Sequence, residues 1–309
     1  MKQFTHLVFS GSAIRSLCFL GILRYIYFNK MDNYIKNVSG TSMGAFFSLA
    51  FALKVPIEEL EKIVLKTINN ENLRIIPTNK FIDIFMNLGF NDPKLYLKEF
   101  ENYVKNKYNM DDITFMELSK LTGVNVYVST TRVNDGKNFI FNVDDTPNIS
   151  VFDAIAASMC IPILSKPVRI NDAYYVDGCI SNNLPYDVFH NINHSNILCV
   201  AIYIKADYDI SIIPNFKEDE EINLSDYFKQ ICNILYLYST KHSYINRIEN
   251  FKNPLIITKS HFKTFFNFEI TKKELKFNIS EDDIETLILQ GFCDISEYMK
   301  TFNEEAIDV

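Results

Sequence analysis

Residues 40–44 read Gly-Thr-Ser-Met-Gly and lie between the apolar runs "YIKNVS" and "AFFSLAFAL". A Gly-x-Ser-x-Gly spacing between a strand and a helix is that of a nucleophile elbow, a sharp turn that presents the serine hydroxyl. Gly40 and Gly44 permit a tight backbone and clear space for a substrate. The helix that follows begins with unpaired N–H groups and a partial positive charge, which favour alkoxide character at Ser42. The chemistry would be nucleophilic catalysis, and it requires a group to take the hydroxyl proton.

Histidine held by aspartate is the familiar choice. The chain has five histidines, at 6, 190, 194, 242 and 261, and none has a recognisable triad context. Asp177, in "YYVDGCISNNLP", ends an apolar run and is followed at once by Gly178. The carboxyl ends of parallel strands are where open α/β sheets hold their sites. A carboxylate can take a serine proton directly, provided that burial raises its pKa from the ordinary value of about 3.9. Asp-Gly alone also reads as a plain turn.

The third piece is "FSGSAIRS", residues 9–16. A loop between a strand and a helix can aim backbone N–H groups at an oxyanion. Arg15 could orient that loop or meet a phosphate. A nucleotide-binding loop is the competing idea, but Gly11 stands alone where G-x-G-x-x-G needs three glycines.

The elements that must position these groups follow from the hydrophobic pattern. Residues 4–9 read as a buried strand, 16–30 as a helix packed on a sheet, 34–39 as a strand and 43–53 as a core helix. Pro56 opens an amphipathic helix. Residues 70–123 look helical and more polar, with 92–108 the clearest case. Strands are expected at 125–133, 138–143, 173–178 and 196–204, with a helix at 150–159 that Pro162 stops. Two helices, about 223–247 and 280–301, finish the chain, and 214–223 reads as a loop. Strands alternating with helices call for an α/β fold with a mostly parallel central sheet and helices on both faces.

The chain has 309 residues, 48% of them hydrophobic and 22% charged, so it can bury a substantial core. Its net charge of −7 argues against nucleic-acid binding, which needs gathered Lys and Arg. The six cysteines form no C-x-x-C and no zinc-finger spacing. Polar residues interrupt the N-terminus too early for a signal-peptide core, and no apolar run approaches a membrane span. The thiols are expected to be reduced and the location intracellular, cytoplasmic or peripheral to a membrane. "KSHFKTFFNFEITKKELKF" (259–277) interleaves Lys with Phe. It reads as an ordinary edge with solvated lysines or as a surface that docks on anionic lipid through Lys263, Lys272 and Lys273.

Taken together, "SGSAIRSLCFLGIL", "GTSMG" and "DGCISNNLP", with "AIAASMCIPILSKPV" before the last, resemble the patatin-like phospholipase family over about residues 4–205. The resemblance implies a three-layer patatin-like fold in a single domain over 1–309. Its core would span about 4–205, with a helical insertion or lid at about 70–123 and a C-terminal helical extension at about 206–309. It implies a Ser–Asp dyad of Ser42 and Asp177, an oxyanion hole from Gly11, Ser12 and Ala13 with Arg15 at the family's basic position, and support from Gly40, Gly44 and Gly178. The implied activity is hydrolysis of phospholipid or other lipid esters, of phospholipase A, lysophospholipase or esterase type, with no metal and no cofactor. Ser12 and Ala13 replace the second and third glycines of the family triplet, Ser16 replaces the last, and Cys179 replaces the small residue after Asp-Gly. An acyltransferase of the same chemistry, or a catalytically weakened lipid-binding protein, are the alternatives.

Overall fold

In the computed structural model the described residues are 3–70, 75–77, 88–202, 244–257, 268–270, 274–277 and 280–305. Their strands are β1 His6–Phe9, β2 Asn37–Thr41, β3 Ile75–Pro77, β4 Gly89–Asn91, β5 Asn125–Arg132, β6 Asn138–Phe141, β7 Ile163–Ser165, β8 Val168–Ile170, β9 Ala173–Asp177, β10 Ile197–Ile202, β11 Leu255–Ile257, β12 Phe268–Ile270 and β13 Glu274–Phe277. Their α-helices are α1 Cys18–Phe28, α2 Met43–Ala52, α3 Ile57–Ile68, α4 Lys98–Tyr108, α5 Phe115–Thr122, α6 Val151–Ser158, α7 Asn246–Asn250 and α8 Glu281–Glu305.

β11, β10, β1, β2 and β5 run parallel, in that order, and form most of the central sheet. β6, β9 and β8 extend it in antiparallel fashion. Every residue of β1 and β10 is buried, as expected of strands covered on both faces. Alternation splits their side chains between two cores. Leu7, Phe9, Leu198 and Val200 face the larger one, with α1, α2, α6 and α8. Val8, Ile197, Cys199 and Ala201 face a second, with Phe189, Tyr244 and Phe251. The result is three layers, with the sheet in the middle.

α2 is apolar around its whole circumference and buried from Gly44 to Ala52, which marks a core helix. Phe9, Phe19 and Phe47 pack their rings against one another beside it, with Phe9–Phe19 centroids 4.7 Å apart and Phe19–Phe47 5.5 Å apart. α5 is fixed at its start by a capping box between Thr114 and Glu117. Its Phe115 and Leu118 join the larger core, as do Phe100 and Val104 of α4.

Two features depart from the sequence reading. Residues 70–123 are not wholly helical: β3 joins β12 and β13, and β4 pairs with β7. Three-residue strands carry too little alternation to be seen in a sequence. The central sheet also continues past residue 205, because β11 adds to the β10 edge. The expected helix at 280–301 is α8. It crosses α1 with almost no side chain between the backbones: a Cβ on Gly21 would lie 1.9 Å from the Ile288 carbonyl oxygen, and one on Gly291 1.9 Å from that of Cys18. Most of the expected helix at 223–247, the loop at 214–223, and Lys263, Lys272 and Lys273 lie outside the described residues.

Candidate active site

The turn from β2 into α2 places the left-handed backbone on Ser42 itself, at φ 54° and ψ −125°. For a residue with a Cβ this conformation is strained, and such strain gathers at functional positions. The two motif glycines serve the turn through close approach instead. A Cβ on Gly40 would lie 2.3 Å from the Gly44 carbonyl, and one on Gly44 would lie 2.6 Å from the Phe9 carbonyl oxygen. The Ser42 N–H donates to Ser158 Oγ at 2.7 Å, and Ser158 Oγ donates in turn to the Ser129 carbonyl. Ser158, at the end of α6, is a supporting residue that sequence reasoning missed. The stretch containing it carried the family resemblance but suggested no contact.

Asp177 reaches Ser42 by a route that corrects the expected topology. β9 is antiparallel to β5, so Asp177 does not end a parallel strand. One edge of β5 carries β6 along Val128–Thr131. The other carries β2 as far as the Thr41–Ser129 pair, and then β9 from the Asp177–Thr130 pair onward. The ends of β2 and β9 therefore meet head to head on one edge of β5. Ser42 Oγ donates to Asp177 Oδ2 at 2.8 Å. Both side chains are buried, Ser42 6% exposed and Asp177 3%. A Cβ on Gly178 would lie 2.3 Å from the Ser129 carbonyl oxygen, so the turn after Asp177 needs glycine there.

Burial pushes the Asp177 carboxyl up to about 6, against the opposing hydrogen bonds from Cys179 and Ser42. The Cys179 N–H donates to Oδ1 at 2.9 Å, which holds the carboxylate plane. A carboxylate so placed has more proton affinity than an ordinary aspartate and is still ionised at neutral pH, as a base for a serine hydroxyl must be. Burial, reinforced by the neighbouring Asp177 charge, holds the Cys179 thiol well above its usual range. The thiol is thus protonated, and donates to Asn183 Oδ1 at 3.0 Å.

The loop after β1 lies against this pair. A Cβ on Gly11 would lie 3.2 Å from Ser42 Cβ and 2.5 Å from Cys179 Sγ. Gly11, expected as an oxyanion donor, has its N–H donating to the Asn183 carbonyl at 3.2 Å, and its own carbonyl accepts from Asn183 Nδ2 at 3.1 Å. Among the described residues, the N–H groups of Ser12 and Ala13 have no hydrogen-bond partner. Ala13 has φ 45°, a conformation in which glycine is free of strain. Arg15 is buried, and its N–H closes a 3-10 turn by donating to the Ser12 carbonyl at 3.1 Å.

Among the described residues, His6 and His194 are engaged away from Ser42. His6 pairs with Thr5 and Asn37 and packs edge-on against Phe189. His194 stacks on Phe251 at 4.4 Å, and His190 is exposed. His242 and His261 lie outside the described residues.

A mostly parallel sheet with a strained serine between strand and helix, facing a buried aspartate, defines an α/β protein of the nucleophile-elbow class. The chain belongs to the patatin-like phospholipase family, whose profile matches residues 7–190. An uncharacterized protein, R571, of Acanthamoeba polyphaga mimivirus is 23% identical over a 304-residue alignment that covers 94% of this chain and 95% of that protein. "Probable lipid hydrolase 463L" of Invertebrate iridescent virus 6 is 26% identical over 235 residues, 74% of this chain and 76% of its own. Among solved structures, VipD from Legionella pneumophila superposes with a TM-score of 0.60 at 12% identity, covering 97% of this chain and 67% of VipD. At that identity the likeness is one of fold. Among the described residues, no helix is long and apolar enough to cross a membrane.

Proposed function

We propose that the protein is a serine lipid acyl hydrolase, of phospholipase A, lysophospholipase or esterase type, that works through a Ser42–Asp177 dyad. The observation that carries this reading is the 2.8 Å hydrogen bond from Ser42 Oγ to the buried Asp177 carboxylate. Family membership and the relative named as a lipid hydrolase support a lipid ester as substrate.

Ser42 Oγ attacks the ester carbonyl carbon as its proton passes to Asp177. The carbonyl π electrons move onto oxygen, and the N–H groups of Ser12 and Ala13 are the donors this reading assigns to that oxyanion. Collapse of the tetrahedral intermediate breaks the ester C–O bond, and Asp177 returns its proton to the departing alcohol or lysophospholipid. Water then attacks the acyl carbon and gives a proton to the same carboxylate; the acyl–Oγ bond breaks, Asp177 passes that proton to Ser42 Oγ, and the fatty acid is released.

The test is a digest of a mixed phospholipid and neutral-lipid extract, with products read by mass spectrometry. Wild type should release fatty acid, while Ser42→Ala and Asp177→Asn should not, although both fold. Full release by Ser42→Ala overturns the proposal. An added primary alcohol separates water from an alcohol as the acyl acceptor.

A further inference from the structure

We propose that the hydroxyl of Ser12 is a side-chain donor to the oxyanion, taking the place of the Gly11 N–H. The inference rests on the acyl-transfer reading above and deepens it.

Asn183 holds the first residue of the loop at both its N–H and its carbonyl. Asn183 is only 1% exposed, so water does not compete for that clamp. The Gly11 N–H is therefore committed, although the backbone there abuts Ser42. The next residue is a serine where the family pattern has glycine. Ser12 is 3% exposed, and its Oγ has no hydrogen-bond partner. The other two serines of the loop contrast with it. Ser10 Oγ accepts from the Ile202 N–H at 3.1 Å, and Ser16 Oγ donates to the Ala13 carbonyl at 2.6 Å.

A buried hydroxyl without a partner is costly, and in native proteins each one calls for an explanation. Ser12 is followed in the chain by the left-handed backbone of Ala13, and Gly11 before it abuts Ser42, whose backbone is left-handed too. Such concentration beside a reacting centre is what a site prepared for its transition state shows. When Ser42 attacks, charge develops on the carbonyl oxygen, and a donor already stripped of water meets it without reorganisation. Ser12 keeps its proton throughout; it gives a hydrogen bond, while the transferred proton goes to Asp177. The serine thereby offsets the loss of a glycine triplet.

The experiment compares Ser12→Ala, Ser12→Gly and Ser12→Thr in the full chain, with a p-nitrophenyl ester as substrate and Tm measured alongside. Ser12→Ala and Ser12→Gly should each lose about 10²–10³-fold in kcat with KM nearly unchanged. Ser12→Thr, which keeps the hydroxyl, should retain more activity than either. Tm of Ser12→Ala should hold or rise, because the unpartnered hydroxyl is gone. A Ser12→Gly protein as fast as wild type or faster overturns the inference, since the Cβ would then merely crowd the site. A kcat loss in Ser12→Ala matched by a fall in Tm overturns it as well, as a structural role. The underlying reading fails separately: Ser42→Ala would keep wild-type turnover, whatever the Ser12 variants do.

Discussion

The Ser158 hydroxyl accepts the Ser42 amide at 2.7 Å and anchors it, through its own donated bond, to the Ser129 carbonyl of β5. One side chain from α6 thus ties the strained elbow to the strand that also receives Asp177. Ser158→Ala leaves the buried Ser42 N–H without an acceptor, which costs about 1–3 kcal/mol. The urea midpoint should fall accordingly with an unchanged m-value, and kcat should fall with it as the elbow relaxes.

The rate should depend on pH through Asp177. In the proposed mechanism Asp177 must be ionised to take the Ser42 proton, and burial pushes its carboxyl up to about 6. kcat/KM should therefore rise about tenfold per pH unit below that value and level off above it. A profile already flat at pH 5 contradicts the assignment of Asp177 as base.

The same shift makes Asp177 a stability liability at neutral pH. Its folded pKa is raised, so between about 3.9 and 6 the native state binds more protons than the unfolded state. Stability from this group is complete below about 3.9 and falls as pH rises through about 6. Asp177→Asn keeps the shape without the buried charge, so at pH 7.5 it should be inactive yet more stable, on the order of 3 kcal/mol. Chemical denaturation at pH 4 and pH 7.5 checks both signs, since the advantage should largely vanish at the lower pH.

Ala13 holds φ 45°. For an L-residue the left-handed region costs about 1–2 kcal/mol, against the roughly 0.5–1 kcal/mol of chain entropy that a glycine would add to the unfolded state. Ala13→Gly should raise Tm slightly and leave kcat intact or higher. A lower Tm would show that the loop does not carry this strain.

Gly291→Ala addresses the crossing of α1 and α8. Its added Cβ would lie 1.9 Å from the Cys18 carbonyl oxygen. Backbone must move, and overpacking of this kind costs about 1–3 kcal/mol, more than the helix propensity that alanine gains. Tm should drop by several degrees. Exposed Leu289→Ala, on the same helix, is the control and should change little.

Much of the frame was legible in the residues. The core helix after Ser42, the buried strands at β1 and β10, and the α/β alternation follow from hydrophobic period, which acts locally. The Gly-x-Ser-x-Gly spacing forces a turn wherever a strand runs into a helix, so the place of Ser42 was fixed as well. Asp177 could be singled out as a candidate because it ends an apolar run just before a glycine, although Asp-Gly by itself also fits a plain turn. What the sequence did not reveal came from contacts between segments far apart in the chain. The reversed direction of β9, its end-to-end meeting with β2, the Ser158 anchor, the Asn183 hold on Gly11 and the α1–α8 crossing all depend on which backbones lie side by side. A residue's type encodes how it prefers to bend and whether it seeks water. Which carbonyl lies 2–3 Å from a glycine, and which amide already has its partner, is decided only when the layers close.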